Sequence, residues 1–418
     1  MKRLTTIRLT LLLTLVTLTA AAQKENQFAV DAQLRTRGEY DNGYATLRSQ
    51  GQEPIFYISD RARIALDYQR KNLELKASVQ HTGIWGREDI NKGAGNVTLN
   101  EAWGKMTFDP GIFVQIGRMP LSYDDERLLG AADWNNAGNW HDALRLGFEN
   151  NVHRVHLFAT YNQNTSDTHG GYYAKVMPYK QMQGLWYHVD LLPQMPLGIS
   201  LLALNIGYED GKAESGHTRF MQTFGGYVNF RPEPFFVDAS FYYQRGKDSS
   251  SDYVSAFMAS GNVGYDVLGY LDIRAGYDYL SGNDGLNYNQ HAFDPLFGTH
   301  HKFFGAMDYF VGRVGFGLQD IHAGLTGHFG RRVDLSADYH RISMAESVYG
   351  FHFGKHLADE VDIHLSARIM KDVTLTAGYS MMFAQENLAY IKGGDHTSWQ
   401  DWAWLSLNIN PRILFTTW

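Results

Sequence analysis

The chain has 418 residues, with 37 Lys+Arg against 44 Asp+Glu, a net charge of −7 and no cysteine. The acidic balance argues against nucleic acid as a partner, and the missing thiols exclude disulfides, thiolate metal sites, cysteine nucleophiles and a lipid-anchored cysteine. Mean hydropathy is −0.33, and no run after residue 22 reaches the ~18 apolar residues that a transmembrane helix requires, so helical membrane proteins are excluded.

The chain opens on a processing signal. Lys2, Arg3 and Arg8 precede the apolar stretch L-T-L-L-L-T-L-V-T-L-T, and Ala20-Ala21-Ala22 offers a small-residue cleavage site before Gln23. The reading is a signal peptide over 1–22 and one barrel over 23–418. Its removal takes Lys+Arg from 37 to 34 against 44 acids, a net charge near −10.

From Phe28 onward, apolar and polar residues alternate in eighteen segments. They lie at roughly 26–40, 55–69, 72–84, 97–108, 112–123, 141–149, 152–163, 181–191, 197–209, 217–231, 235–246, 253–263, 268–281, 313–327, 331–345, 357–369, 372–384 and 400–415. The stretch D-E-V-D-I-H-L-S-A-R-I-M-K-D-V-T-L-T-A-G-Y-S-M (359–381) shows the pattern best. Val361, Ile363, Leu365, Ala367 and Ile369 share one parity, and Glu360, Asp362, His364, Ser366 and Arg368 share the other. Side chains alternate faces along a strand, so the stretch is a hairpin with one apolar and one wet face. Tight connections such as R-K-N, E-N-N and M-K-D alternate with long, polar, Gly-rich ones at 41–54, 85–96, 124–140, 164–180, 282–312, 343–356 and 385–399. That rhythm predicts an all-β, up-and-down antiparallel barrel of about eighteen strands, with short periplasmic turns and long outer loops.

Tyrosines decide which solvent meets the apolar face. Tyr40, Tyr161, Tyr208, Tyr243, Tyr277, Tyr339 and Tyr379 end the apolar faces of odd strands at the loop rim. Such a ring marks a membrane interface, where the ring body is apolar and the hydroxyl wants water. The apolar face therefore meets lipid, and only a closed barrel leaves no backbone group unpaired there. The chain ends in Ile413-Leu414-Phe415 and Trp418, an aromatic end of the kind that outer-membrane assembly machinery reads.

The opposite parity lines the lumen. Its candidate pathway residues are Arg35, Arg37, Arg61, Arg63, Lys76, Lys105, Arg145, Arg219, Arg274, Arg368, Glu101 and Asp362. Arg35, Arg37, Arg61 and Arg63 sit on adjacent strands with few acids among them, a positive strip suited to carboxylate or phosphate. The plainer alternative is that inward bases and acids only pair and brace the wall. Asp362, His364 and Ser366 resemble a catalytic set but are spaced about 6.6–6.8 Å apart along a strand and do not converge. His300-His301 reads as a loop pair rather than a metal site, and Y-D-D-E-R (123–127) as a solvated loop. The aromatic stretch F-D-P-L-F-G-T-H-H-K-F-F-G within 282–312 is expected to pack onto or into the barrel mouth.

Several stretches are similar to the alginate export family of outer-membrane porins, as found in Bacteroidetes-type chains. They are F-Y-I-S-D-R-A-R-I-A-L-D-Y (56–68), L-N-E-A-W-G-K-M-T-F (99–108), I-G-R-M-P-L-S-Y-D-D-E-R-L-L-G (116–130), Y-K-Q-M-Q-G-L-W-Y-H (179–188) and F-D-P-L-F-G-T-H-H-K-F-F-G-A-M-D-Y-F (293–310). The resemblance implies an eighteen-stranded barrel that passes an anionic polysaccharide along an Arg-rich lumen. It points to Arg61, Arg63, Lys105 and Arg145. The exporters also carry a long periplasmic plug loop, whereas every turn on that rim reads short here.

The expectation is a passive channel of the Gram-negative outer membrane for anionic sugars or oligosaccharides, possessing neither cofactor nor chemical step. Its surroundings are outer-membrane lipid and lipopolysaccharide, and a monomer is favoured. The alternatives are a general diffusion porin, or a surface adhesion or structural barrel.

Overall fold

The computed structural model describes residues 26–87, 96–108, 110–163, 178–191, 196–209, 217–250, 252–286, 289–347 and 354–418. The expected signal peptide lies outside them, as do parts of the connections 85–96, 164–180, 210–216 and 343–356.

Alternation becomes strand throughout. In chain order the strands are β1 (Asn26–Asn42), β2 (Ile55–Arg70), β3 (Leu73–Ile84), β4 (Asn96–Phe108), β5 (Ile112–Met119), β6 (His141–Glu149), β7 (His153–Tyr161), β8 (Gln181–Leu191), β9 (Leu197–Glu209) and β10 (Thr218–Phe230). They continue as β11 (Phe235–Lys247), β12 (Tyr253–Val267), β13 (Leu271–Leu280), β14 (Leu318–Phe329), β15 (Val333–Ser343), β16 (His356–Met370), β17 (Val373–Ala384), β18 (Gln400–Ile409) and β19 (Arg412–Thr417). From β1 to β18 each strand pairs antiparallel with the next. On its other edge β1 meets β18 through Leu34–Asn42 and β19 through Gln27–Asp31, and the barrel closes. Pro411 has no N–H for the ladder and divides the last stave into β18 and β19. The barrel thus has eighteen staves, as the alternation predicts.

Long and short connections alternate as expected. In the M-K-D turn Asp372 takes the left-handed conformation, φ 61°, one that Asp adopts more readily than most residues. One short helix, α1 (Glu386–Lys392), lies in the 385–399 connection, with Leu388 buried beneath it.

The outer face is a band of exposed Leu, Ile, Val and Phe, among them Ile64, Leu66, Leu146, Leu201, Leu325 and Leu405. At the loop rim Tyr40, Tyr161, Tyr277 and Tyr339 are exposed, and Tyr243 and Tyr379 share their outward parity. Several of the hydroxyls reach polar partners, as in Tyr277 to Gln319 at 2.9 Å and Tyr379 to Asp401 at 3.1 Å. At the turn rim Phe235 packs on Tyr265, ring centroids 5.0 Å apart. An Ile64→Arg change, mid-strand on this band, is expected to cost about 2–4 kcal/mol. Denaturant unfolding in lipid vesicles reads that loss, and the inward-facing Ser336→Arg should not reproduce it.

One tyrosine departs from the expected ring. Tyr208 is buried inside, on the same face of β9 as Leu202, Leu204 and Ile206. The reason is a second apolar environment. On β8–β13 the inner face carries Met182, Leu204, Ile206, Met221, Tyr242, Met258 and Leu280, and these pack against Leu128, Leu129, Phe293, Phe304 and Phe310 from loops folded into the lumen. The hydrophobic core lies inside this half of the barrel, so parity alone no longer distinguishes lipid from interior.

Candidate solute pathway in the lumen

Among the described residues, the β5–β6 loop (120–140) and the β13–β14 loop (281–317) fold into the mouth. A parallel bridge between Leu129 and Phe297 joins them, with Gly130 N–H to Phe297 O at 3.0 Å and Phe297 N–H to Leu128 O at 3.0 Å. Y-D-D-E-R, read as a solvated loop, is instead packed inside. Arg127 is 5% exposed; it donates to Asp125 at 3.0 Å and to the buried Asp278 of β13 at 2.8 Å, with its guanidinium 4.1 Å from the Phe303 ring centroid. Burial works against its charge, but Asp278 and Asp125 together outweigh it and hold Arg127 above the usual arginine range. The longer loop is also held from below. Met307 N–H donates to Glu360 at 2.8 Å and Ala306 N–H to Asp362 at 3.2 Å. Gly305 has φ 85°, and a Cβ there would lie 2.4 Å from the Glu360 carboxylate, so only glycine lets the backbone approach this closely.

The N-terminal arginines meet an acid that no strand supplies. Asp133, from the β5–β6 loop, places Oδ1 2.9 Å from Arg61 and 3.9 Å from Arg63, and Oδ2 3.7 Å from Arg35. Arg35 also donates to the carbonyls of Asp133 at 2.7 Å and Trp134 at 3.2 Å. Arg63 is braced by Gln80 at 2.6 Å. Arg61 is fully buried, and its Nε and Nη2 have no hydrogen-bond partner. Arg37 pairs with Glu39 at 2.8 Å and lies over the Trp134 ring at 4.1 Å. Three guanidiniums therefore converge on one carboxylate that is 64% exposed, beside an aromatic face.

Trp134 continues that face. It stacks on His301, centroids 4.3 Å apart and planes 8° apart, and meets Trp404 edge-on at 4.8 Å. Two cavities share Trp134 and His301 as wall: one of about 650 Å³ with Arg37, Tyr44 and Tyr57, and one of about 570 Å³ with Arg274, Asp338, His340 and His364.

The other expected pathway residues are mostly paired. Lys76 lies 3.4 Å from Glu101, which also accepts from Trp103 at 2.9 Å. Lys105 lies 3.9 Å from Glu74 and over the Phe113 ring. Arg145 donates to Gln115. Arg274 forks onto Asp338 at 2.6 and 2.8 Å. Asp362 helps to hold the inner loop. Arg368 is exposed towards the turn rim, and Arg219 faces inward at the loop end of β10, opposite Tyr208. Of the loop histidines, His301 bonds Asp308 at 2.9 Å while His300 faces Pro295 O at 3.4 Å, so the two do not converge. Sequence reading missed Asp133 and Trp134, for which A-D-W-N-N between glycines was the available signal. It also missed Asp320, His322 and His340, although D-I-H and D-Y-H place an acid and a histidine at lumen parity.

A closed barrel with an apolar belt outside, charged walls inside and loops narrowing its mouth defines an outer-membrane channel. The chain belongs to the alginate export family, whose model, described as "Alginate export", matches residues 22–398. Among solved structures it is similar to the outer-membrane protein OpdK of Pseudomonas aeruginosa (9% identity, TM-score 0.64, covering 93% of this chain and 99% of that one). It is also similar to OccAB4 of Acinetobacter baumannii (11%, 0.62, 94% and 100%) and to OpdQ of Pseudomonas aeruginosa (11%, 0.63, 94% and 99%). At these identities the likeness is one of fold. No curated protein matches the chain. The protein is a Gram-negative outer-membrane channel and not an enzyme.

Proposed function

We propose that the channel passes small anionic saccharides by diffusion, recognising their carboxylates at Arg35, Arg61 and Arg63. The convergence of these three guanidiniums on the Asp133 carboxylate carries the reading. Asp133 is a tethered, solvent-accessible stand-in for a solute carboxylate, held by single contacts at 2.9–3.9 Å, whereas a free carboxylate is able to take the two parallel hydrogen bonds that a planar guanidinium offers. Beside it, Trp134 is held between the Arg37 guanidinium and the His301 ring and backs the cluster as a rigid wall. Inner loops that fill the mouth favour short saccharides over a long polymer. The acids Asp320, Asp338, Glu360 and Asp362 on β14–β16 lie on another arc of the wall and temper the anion preference without reaching the arginine cluster.

Planar-bilayer reversal potentials in a potassium chloride gradient test the reading. The expected result is a potential on the anion side, with current reduced by oligouronates added to either chamber. Clear cation selectivity would overturn it and leave a general diffusion porin. A barrel without conductance in any buffer would instead favour a structural role.

A further inference from the structure

We propose that Asp320, His322 and His340 form a site for one divalent transition-metal ion, of the Zn²⁺ class, on the lumen wall. The three residues lie on neighbouring strands, Asp320 and His322 on β14 and His340 on β15, with lumen parity throughout. One ligand atom from each falls within 4.8 Å of the others. Two imidazole nitrogens and a carboxylate oxygen are the donor set that catalytic-type zinc sites use, and three ligands leave a tetrahedral corner towards the cavity.

The arrangement of lone pairs is the stronger argument. His322 Nε2 lies 2.8 Å from Asn262 Oδ1. An amide oxygen only accepts, so that nitrogen carries the proton, and in the neutral ring Nδ1 presents a bare lone pair. This Nδ1 is buried without a hydrogen-bond partner and stands 3.4 Å from Asp320 Oδ2. A lone pair facing a carboxylate at that distance is repulsive, and either a second ring proton or a metal ion between them relieves it. A tetrahedral ion with bonds near 2.0 Å separates its ligands by roughly 3.3 Å, the spacing found here. Asp320 itself is fully buried, and its other oxygen, Oδ1, has no partner.

The remaining ligand is also prepared. His340 Nδ1 lies 2.8 Å from Asp320 Oδ2, while its Nε2 faces Asp362 Oδ2 at 3.8 Å. When Nδ1 binds the ion, the ring proton moves to Nε2 and is drawn to Asp362. Each histidine then directs its second ring N–H to an oxygen, as metal-binding histidines almost always do. Asp320 Oδ2 and His340 Nδ1 must part by about 0.5 Å to accept the metal. Gly276 of β13 makes the outer arrangement possible. A Cβ there would lie 2.2 Å from both Asn262 Oδ1 and His322 Nε2.

The test uses the untagged, full-length barrel in detergent, stripped with chelator and dialysed. Calorimetric titration with Zn²⁺ should give one ion per chain at micromolar affinity or tighter, and Co²⁺ should show the visible bands of a four- or five-coordinate, nitrogen-ligated ion. Together His322→Ala and His340→Ala should abolish binding, while Asn262→Ala and Gly276→Ala, which touch only the orienting contact, should each weaken it about 10-fold. Heat-modifiability on gels establishes that each variant is a folded barrel. Undiminished Zn²⁺ binding in the folded double histidine variant, or no Zn²⁺ bound to the wild type at millimolar concentration, would overturn the proposal.

Discussion

Arg127→Met is expected to release both inner loops from a barrel that stays closed. Arg127 fills its site between Asp125 and Asp278 at 3.0 and 2.8 Å, and Asp278 is 1% exposed. Methionine replaces the bulk of the side chain but leaves a buried carboxylate without its counter-charge, a loss of about 3–5 kcal/mol for a buried pair. That cost falls on the loops and not on the staves, whose backbone ladders are untouched. The Phe303 ring packs on the same guanidinium. Chymotrypsin should therefore cut the variant at Phe303 or Phe304, sites that the wild type protects, and single-channel records should become larger and noisier. Heat-modifiability should persist. Adding Asp278→Asn removes the stranded charge as well, and the double variant should regain much of the protection, because deleting both partners of a buried pair costs far less than deleting one. Wild-type protection in Arg127→Met alone would show that apolar packing, not this ion pair, holds the loops.

Much of the barrel was legible because its two solvents oppose each other. With lipid on one side and water on the other, each residue step changes environment, and period-two alternation follows. Val361, Ile363 and Leu365 against Asp362, His364 and Ser366 show this directly. Legibility fails where the interior stops being wet. On β9 the face bearing Leu202, Leu204, Ile206 and Tyr208 packs on the inner loops, so an apolar parity that would ordinarily mean lipid means core. The loops misled in a second way. D-D-E-R is polar enough to suggest solvation, yet Arg127 satisfies Asp278 across 151 residues, a pairing that no local pattern encodes. The arginine strip was visible from parity alone. Its carboxylate was not, since Asp133 arrives from a loop 72 residues after Arg61. The same holds for His322 and His340, which meet only because the β14–β15 register sets them opposite each other.

Replacing Arg35, Arg37, Arg61 and Arg63 together with glutamine should reverse the sign of the selecting wall and swing the reversal potential towards cations. The four guanidiniums outnumber the carboxylates of Asp133 and Glu39 by two, and the glutamines leave those two carboxylates unopposed. A fixed charge in a confined lumen acts over about one Debye length, ~10 Å at 0.1 M salt and ~3 Å at 1 M. The swing should therefore be large in dilute salt and small in concentrated salt, which separates electrostatic selection from a change in pore size. Asp133→Asn offers the opposite displacement. It removes the tethered acid, adds to the positive surplus and should strengthen the preference for anions. Folding should survive in the quadruple variant because all four positions face the lumen, where polar side chains are already at home. The same parity explains why the arginines are tolerated at all, since each would cost about 2–4 kcal/mol facing lipid at the midplane. If the variant fails to fold, the arginines are bracing the wall through Asp133, Gln80 and the loop carbonyls. If it folds and the potential stays put, selection lies with Lys76, Lys105 and Arg145 farther along the wall.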